Sequence, residues 1–132
     1  METRLKHRYN IKFVLACKIE ESNQQQIKLA CGDQFEGVAC DISEGGLGFF
    51  SKYFLPKGLV MKLTIDAKVF GFKKDMVLEG EITHCKNLYG KIEDSLKYKC
   101  GLKFRNVPEE DRREIGRFIS EHEQRKTPRL GL

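Results

Sequence analysis

Hydrophobic and polar residues alternate along most of the first hundred positions of the chain. The first alternating segment has apolar residues at every second position: Ile11, Phe13, Leu15, Cys17 and Ile19. Successive side chains of a strand point to opposite faces, so this period predicts a strand with one buried face. The same pattern returns downstream, and we expect strands at residues 11–19, 35–42, 47–51, 61–66, 76–85 and 98–104.

The segments between these strands favour turns over helices. Gly45 and Gly46 separate the second and third strands, and glycine adopts positive φ without strain. Six strands with no helix between them indicate antiparallel pairing. Short strands with glycine at the corners are typical of a small sandwich or barrel, and the alternation alone leaves that choice open.

After Phe104 the apolar spacing changes from the period of a strand to that of a helix. The residues on the apolar stripe are Ile115, Phe118, Ile119 and His122. Pro108 suits a first helical turn, and the acids that follow it favour the positive end of a helix dipole. We expect one amphipathic helix at about residues 108–124, followed by a mobile tail at residues 126–132.

Length and composition favour one soluble domain. The chain has 132 residues, of which 40% are hydrophobic and 33% charged, and it has no apolar run long enough to span a bilayer. Its first residues lack the apolar core of a signal peptide. We therefore expect a cytoplasmic protein without membrane insertion.

The residues that carry chemistry do not form a catalytic or metal pattern. The five cysteines lie at positions 17, 31, 40, 85 and 100, without the Cys-x-x-Cys spacing of a zinc or redox site. The sequence has neither a phosphate-binding P-loop nor a nucleophile spaced with a histidine base. We predict no enzyme activity, no catalytic residues, no metal and no cofactor.

The positive charge of the chain is concentrated at its N-terminus. Residues 1–12 contain four basic residues and one acid, within a formal net charge of +5. Such a segment attracts phosphate-bearing partners, although on charge alone a solvated tail is the favoured interpretation.

Two short sequence patterns indicate a more specific function for this cationic segment. Arg4 and Arg8 form Arg-x-x-x-Arg, and Asp41, Ser43 and Gly46 form Asp-x-Ser-x-x-Gly. In this order the two patterns resemble those of the PilZ domain family, the bacterial receptor module for the second messenger cyclic di-GMP (c-di-GMP). The segments 40–49 and 98–112 also resemble the family, so the similarity extends over nearly the whole chain.

The resemblance implies a fold and a division of the chain. It implies an all-β domain, a six-stranded antiparallel split barrel with a C-terminal helix. Residues 1–12 would be a flexible basic arm, residues 11–125 the barrel with its helix, and residues 126–132 the tail. The chain starts three residues before Arg4, so we expect a stand-alone, single-domain member.

The two patterns suit a ligand that carries two phosphates and two guanines. Arginine matches guanine O6 and N7 with a planar fork and can also lie flat on a purine. Asp41 could accept from guanine N–H groups or hold an arginine, Ser43 could donate to phosphate, and Gly46 could let the backbone approach closely. The possible secondary contacts are Lys6, His7, Tyr9 and Gly45. For Tyr9, anchoring in the core is the favoured role. Without the arginines, Asp41 and Ser43 would be interpreted as an ordinary turn.

The family resemblance also implies a mechanism. The empty arm would be mobile, would fold over cyclic di-GMP, and would signal to a partner that controls motility, adhesion or exopolysaccharide.

Glu44 receives no role, and its charge would be tolerated near phosphates only if it pointed to solvent. The residue before the first arginine, Thr3, leaves open whether one ligand or an intercalated pair binds. The affinity and the downstream partner are also open, and we expect a monomer or weak homodimer.

Two other functions remain open at this point. The first is a protein-interaction adaptor that keeps the fold without the ligand and docks through residues 86–97 or the terminal helix. The second is a small basic barrel for single-stranded nucleic acid. That function needs exposed aromatics on a sheet face, whereas Phe13, Phe49 and Phe104 occupy apolar-face positions.

Overall fold

Six antiparallel strands close into a barrel, and a helix packs against it. The computed structural model describes residues 8–20, 32–72, 74–89 and 96–126, with side chains to residue 122. The elements are β1 (Tyr9–Ile19), β2 (Gln34–Ser43), β3 (Gly46–Ser51), β4 (Val60–Ile65), α1 (Ala67–Phe70), β5 (Met76–Asn87), β6 (Tyr98–Arg105) and α2 (Glu109–Lys126). Around the barrel the strand order is β1-β2-β3-β6-β5-β4. The predicted fold class, a six-stranded antiparallel barrel with a C-terminal helix, is confirmed.

The core lies inside the barrel and beneath α2. Residues at alternate strand positions, such as Leu15, Leu63 and Phe49, are fully buried. Helix α2 adds Ile115, Phe118 and Ile119 to the same core. Burying each of these large apolar side chains contributes about 1.5–3 kcal/mol, so the helix is an integral part of the domain. The burial of Phe13, Phe49 and Phe104 agrees with their apolar-face positions in the sequence.

One short helix contradicts the expectation that the strands follow one another without helices. Helix α1 forms a single turn between β4 and β5. The Asp66 side chain accepts from Lys68 N–H at 2.8 Å, and Gly71 ends the turn at a φ of 74°. A four-residue helix is too short to produce a visible helical period, so local capping rather than apolar spacing determines it.

The N-terminal end of the barrel differs from the expected arm boundary. Strand β1 begins at Tyr9, so residues 9–12 belong to the barrel and not to a flexible arm. Tyr9 is buried, and its ring meets those of Phe118 and His122 edge-on at centroid distances of 5.9 and 6.2 Å. This packing is the anchoring that we favoured for Tyr9. Arg4, Lys6 and His7 lie outside the described residues, as do Thr3 and residues 127–132 of the expected tail, whereas Lys126 is the last residue of α2.

Candidate functional site

An ion pair joins the two sequence patterns at the surface of the barrel. Arg8 lies immediately before β1, where Tyr9 pairs with Ile42 of β2. Its guanidinium Nη1 donates to Asp41 Oδ1. The Arg8 side chain is 54% exposed and that of Asp41 only 16%, so the arginine faces solvent while the carboxylate is held beneath it. The fold therefore brings Arg8 and Asp41 together across 33 residues of sequence.

The Asp41 carboxylate lies over a neighbouring glycine. Asp41 pairs with Gly48 of β3, and a β-carbon added at Gly48 would lie 2.9 Å from Asp41 Oδ2. Such a distance is below normal carbon–oxygen contact, so any side chain at Gly48 would displace the carboxylate. Gly48 thus contributes to the site by leaving room for Asp41. This role depends on strand register, so the sequence alone did not predict it.

A second glycine continues this surface onto the next two strands. Gly48 pairs with Gly101 of β6, and Gly101 pairs with His84 of β5. A β-carbon at Gly101 would lie 2.2 Å from His84 Cε1, so the imidazole covers that glycine. We call Asp41, Gly48, Gly101 and His84 the glycine row. It is a strip without side chains in its middle, with a carboxylate at one end and an imidazole at the other.

Ser43 shapes the turn between β2 and β3. Its hydroxyl accepts from Gly45 N–H at 3.2 Å and donates to the Gly46 carbonyl at 3.4 Å. The residue is 3% exposed. For Ser43 these are the backbone contacts of an ordinary turn, whereas Asp41 pairs with Arg8 instead. The two residues therefore contribute differently: Ser43 fixes the turn and Asp41 holds the arginine.

The need for glycine at position 46 arises from the neighbouring strand. A β-carbon at Gly46 would lie 2.1 Å from the carbonyl oxygen of Leu102 on β6. Gly45 adds to the same junction, because its carbonyl accepts from Phe104 N–H at 2.8 Å. This close approach to β6 sets the spacing of the two central strands of the site, and the approach to a ligand that we expected at Gly46 stays a prediction.

Glu44 does not point into solvent, the orientation in which its charge would be tolerated near phosphates. It is half-buried, and its Oε2 would lie 2.5 Å from a β-carbon added at Gly116 of α2. The missing side chain of Gly116 makes room for the carboxylate against the helix. The turn that carries Ser43 is therefore in contact with α2, and the Glu44 carboxylate lies against that helix.

Lysines on the outer face of the barrel border the glycine row. Lys99 and Lys103 are exposed and lie two residues to either side of Gly101 on β6. Lys99 pairs with Lys86 of β5, and like charges at directly opposed positions repel each other. An anion bound between them would relieve that repulsion.

Charged side chains of both signs surround Cys40. Burial raises the pKa of the Cys40 thiol, and the nearby charge of Asp41 raises it further. The positive charges of Lys99 and Arg8 act on the same pKa in the opposite direction. Contacts show the same proximity, since the Cys40 thiol donates to Asp41 Oδ2 at 3.8 Å and Asp41 Oδ1 accepts from Arg8. Together they form a mixed but predominantly cationic surface.

Neither a metal centre nor a membrane segment is found in the part of the chain that the structure describes. Within those residues, no group of three or more histidine, cysteine or acidic side chains is placed to hold a metal ion. The helices of the same part of the chain are too short or too polar to cross a membrane.

Comparison with known families and structures gives one family match. The family described as PilZ domain matches residues 2–121. None of the curated proteins compared with the chain matches it.

Several solved structures share the fold. The Bacillus subtilis inhibitor of motility MotI/DgrA superposes with a TM-score of 0.72 at 15% identity, covering 97% of this chain and 55% of that one. The K. pneumonia MrkH–c-di-GMP complex gives 0.63 at 14% identity, with 96% and 57% covered. The PilZ domain of Escherichia coli YcgR with c-di-GMP gives 0.62 at 16% identity, with 94% of each chain covered. The chain thus spans little more than half of the first two proteins.

Proposed function

The chain belongs to the PilZ domain family, and on that basis we propose that it is a receptor that binds cyclic di-GMP at the Arg8–Asp41 pair. The ion pair is the observation that carries the proposal, because it brings the two sequence patterns together on one surface. Two solved structures of the same fold contain this nucleotide, those of MrkH and of the YcgR domain. The role is that of a receptor rather than an enzyme.

Arg8 is the residue best suited to recognise guanine. Its side chain is half exposed, and Asp41 holds it by one guanidinium nitrogen. The remaining N–H groups of the fork are directed away from that contact and can donate to guanine O6 and N7. Asp41 would orient the fork in the same way that a carboxylate orients a ligating histidine, by fixing one of its donors.

The phosphates would be bound by cations on both sides of the row. Arg4 supplies a second fork, and Lys6 and His7 are possible additional donors from the arm. On the barrel, Lys99 and its neighbour Lys86 supply positive charge from β6 and β5. Ser43, with Gly45 and Gly46, would contribute mainly by holding the turn against the ligand, since its hydroxyl is engaged in the turn.

Binding would be transmitted through α2. Arg8 precedes Tyr9, whose ring packs on Phe118 of α2. The turn between β2 and β3 contacts the same helix, where Glu44 lies against Gly116. Closure of the arm over the nucleotide would therefore act on the helix at two points. We propose that α2 presents the resulting change to a downstream protein partner that controls motility, adhesion or exopolysaccharide. A ligand can shift this equilibrium only by its differential affinity for the two states.

Calorimetry with three nucleotides tests the proposal. We expect wild-type protein to release heat with cyclic di-GMP but not with cyclic di-AMP or GMP, because guanine recognition and two phosphates are both required. Asp41→Asn keeps the shape of the side chain and removes its charge. We expect this variant to bind cyclic di-GMP about tenfold more weakly, a loss of about 1.4 kcal/mol.

Glu36→Gln is the matched control, since it removes an exposed acid from the same strand away from the row. It should bind like the wild type. A folded wild-type protein that binds none of the three nucleotides would refute the receptor and favour an adaptor. Salt-sensitive binding of unrelated oligonucleotides would instead favour a nucleic-acid barrel.

Gly48→Ala tests whether the glycine row is part of the site. The new methyl group would take the space of Asp41 Oδ2, so the carboxylate would swing away and release Arg8. We expect cyclic di-GMP affinity to fall about tenfold, a loss near 1.4 kcal/mol, while the melting temperature changes little. Unchanged affinity in a folded variant would show that the position of this carboxylate is unimportant for binding.

A further inference from the structure

Two thiols meet across neighbouring strands beneath the site. Cys85 of β5 and Cys100 of β6 are direct cross-strand partners. The Cys100 thiol donates to the sulfur of Cys85 at an Sγ–Sγ distance of 3.2 Å. Cys100 is fully buried, whereas Cys85 is half-buried near the end of the barrel. The pair therefore combines a fully buried cysteine with a half-buried one.

The surroundings of Cys85 favour its thiolate form. Its sulfur accepts from Cys100 and also from Leu55 N–H at 3.4 Å. These hydrogen bonds stabilise the thiolate and lower the pKa of Cys85 to about 7, and the hydrogen bond from Cys100 has the larger effect. Burial of the thiol acts in the opposite direction and raises the pKa. The same interaction and burial raise the pKa of Cys100. Cys85 is thus the better nucleophile of the two, and Cys100 favours the protonated thiol.

We propose that Cys85 and Cys100 form a redox modification site that is oxidised by peroxides to a cross-strand disulfide. The Cys85 thiolate attacks one oxygen of hydrogen peroxide, the O–O bond breaks, and hydroxide leaves and is protonated to water. The sulfur of Cys100 then attacks the sulfenic sulfur of Cys85, forming the S–S bond and releasing a second water. Overall, two thiols and one peroxide give one disulfide and two waters.

The geometry of the sheet accommodates the bond. Directly opposed residues of antiparallel strands have Cα atoms about 4.5–5.5 Å apart, which lies within the range that disulfides span. Their side chains lie on the same face of the sheet, and the sulfurs already touch. The bond can form by a small approach of the two side chains, without moving either strand to a new register.

The position of the pair connects this chemistry to the proposed site. Cys85 follows His84 on β5, and Cys100 precedes Gly101 on β6. Adjacent residues of a strand face opposite sides of the sheet, so the two sulfurs lie on the inner face of the barrel and the glycine row on the outer face. Other cysteines of the described residues differ from Cys85. Burial raises the pKa of Cys17 to about 12, and Cys40 is half-buried with its sulfur near the Asp41 carboxylate. Cys85 is therefore the thiol with the greatest expected reactivity among them.

Peroxide titration followed by mass spectrometry tests the site. We expect stoichiometric hydrogen peroxide to remove two hydrogens from the intact protein, and peptide mapping to join Cys85 to Cys100. Dithiothreitol should restore the starting mass. The reaction should accelerate as pH rises through the range where Cys85 loses its proton, because only the thiolate attacks peroxide. This range should lie below that of Cys40, whose pKa is raised.

Single substitutions separate the two steps. In Cys100→Ser the sulfenic acid on Cys85 should persist and be trapped by dimedone, whereas Cys85→Ser should lose the fast reaction. Cys40→Ser is the matched control, since it removes another half-buried thiol, and it should still form the disulfide. The proposal is overturned if oxidised wild type gains oxygen at Cys85 without losing hydrogen, if another cysteine pair is joined, or if Cys40 reacts as fast as Cys85.

Discussion

Arg8→Ala is expected to weaken cyclic di-GMP binding by about 100-fold, the largest effect on affinity that the site predicts. The substitution removes the fork that would read guanine, which accounts for up to about 3 kcal/mol. It also leaves Asp41, only 16% exposed, without the partner that neutralises it in the free protein. Isothermal calorimetry at fixed salt measures the change, because contacts with phosphates make affinity depend on ionic strength.

Two further variants show whether the shape or the charge of Arg8 matters. Arg8→Lys keeps the positive charge but loses the planar fork, so it should recover only part of the lost affinity. Arg117→Ala is the matched control, since Arg117 is also 54% exposed and ion-paired, with Glu114 on α2. It should bind like the wild type. Equal affinities of Arg8→Ala and Arg117→Ala would remove Arg8 from the site.

Gly46→Ala is expected to cause the largest loss of stability. The new β-carbon would lie 2.1 Å from the backbone oxygen of Leu102, and a backbone carbonyl paired within a sheet has little freedom to move. Strand β3 would have to withdraw from β6, weakening the bond from Phe104 N–H to the Gly45 carbonyl. We expect the free energy of unfolding to fall by about 3 kcal/mol and the melting temperature by roughly 10 °C.

Gly101→Ala provides the comparison for this clash. Its β-carbon would meet His84 Cε1 at 2.2 Å, a distance almost as short. The His84 side chain is exposed and can rotate away, so we expect a loss of stability well below that of Gly46→Ala. Thermal and urea unfolding of both variants measure the difference. Equal stability of the two would show that β3 can shift relative to β6 without penalty.

Apolar alternation was sufficient to predict the six strands because each strand has one face in the core, whereas the choice of a barrel over a sandwich came from the family resemblance. The expected strand at residues 98–104 has outward lysines, and β6 indeed exposes Lys99 and Lys103 while it buries Cys100 and Leu102. Alternation fails where an element is shorter than its own period, and for this reason helix α1 went unpredicted. It also fails at the start of β1, where aromatic packing on α2 extends the strand to Tyr9.

The candidate site was only partly predictable from the sequence. Asp41 and Arg8 were named from short patterns, and the structure places them in contact. The glycine row was missed because Gly48, Gly101 and His84 meet one another and Asp41 only through the registers of three strand pairs, which no local pattern encodes. Contacts between elements likewise decide the placement of Glu44 against Gly116. The ligand roles of Arg4, Ser43 and Gly46 stay predictions.

Strand β3 pairs with β2, which is synthesised just before it, and with β6, which is synthesised much later. Gly48 pairs on one side with Asp41, a few residues earlier, and on the other with Gly101, more than fifty residues further on. A ribosome adds only about 5–20 residues per second, so the hairpin of β2 and β3 emerges seconds before β6. A nascent chain that lacks β6 therefore cannot hold the complete row. The receptor we propose would respond to nucleotide only after its last strand has been synthesised.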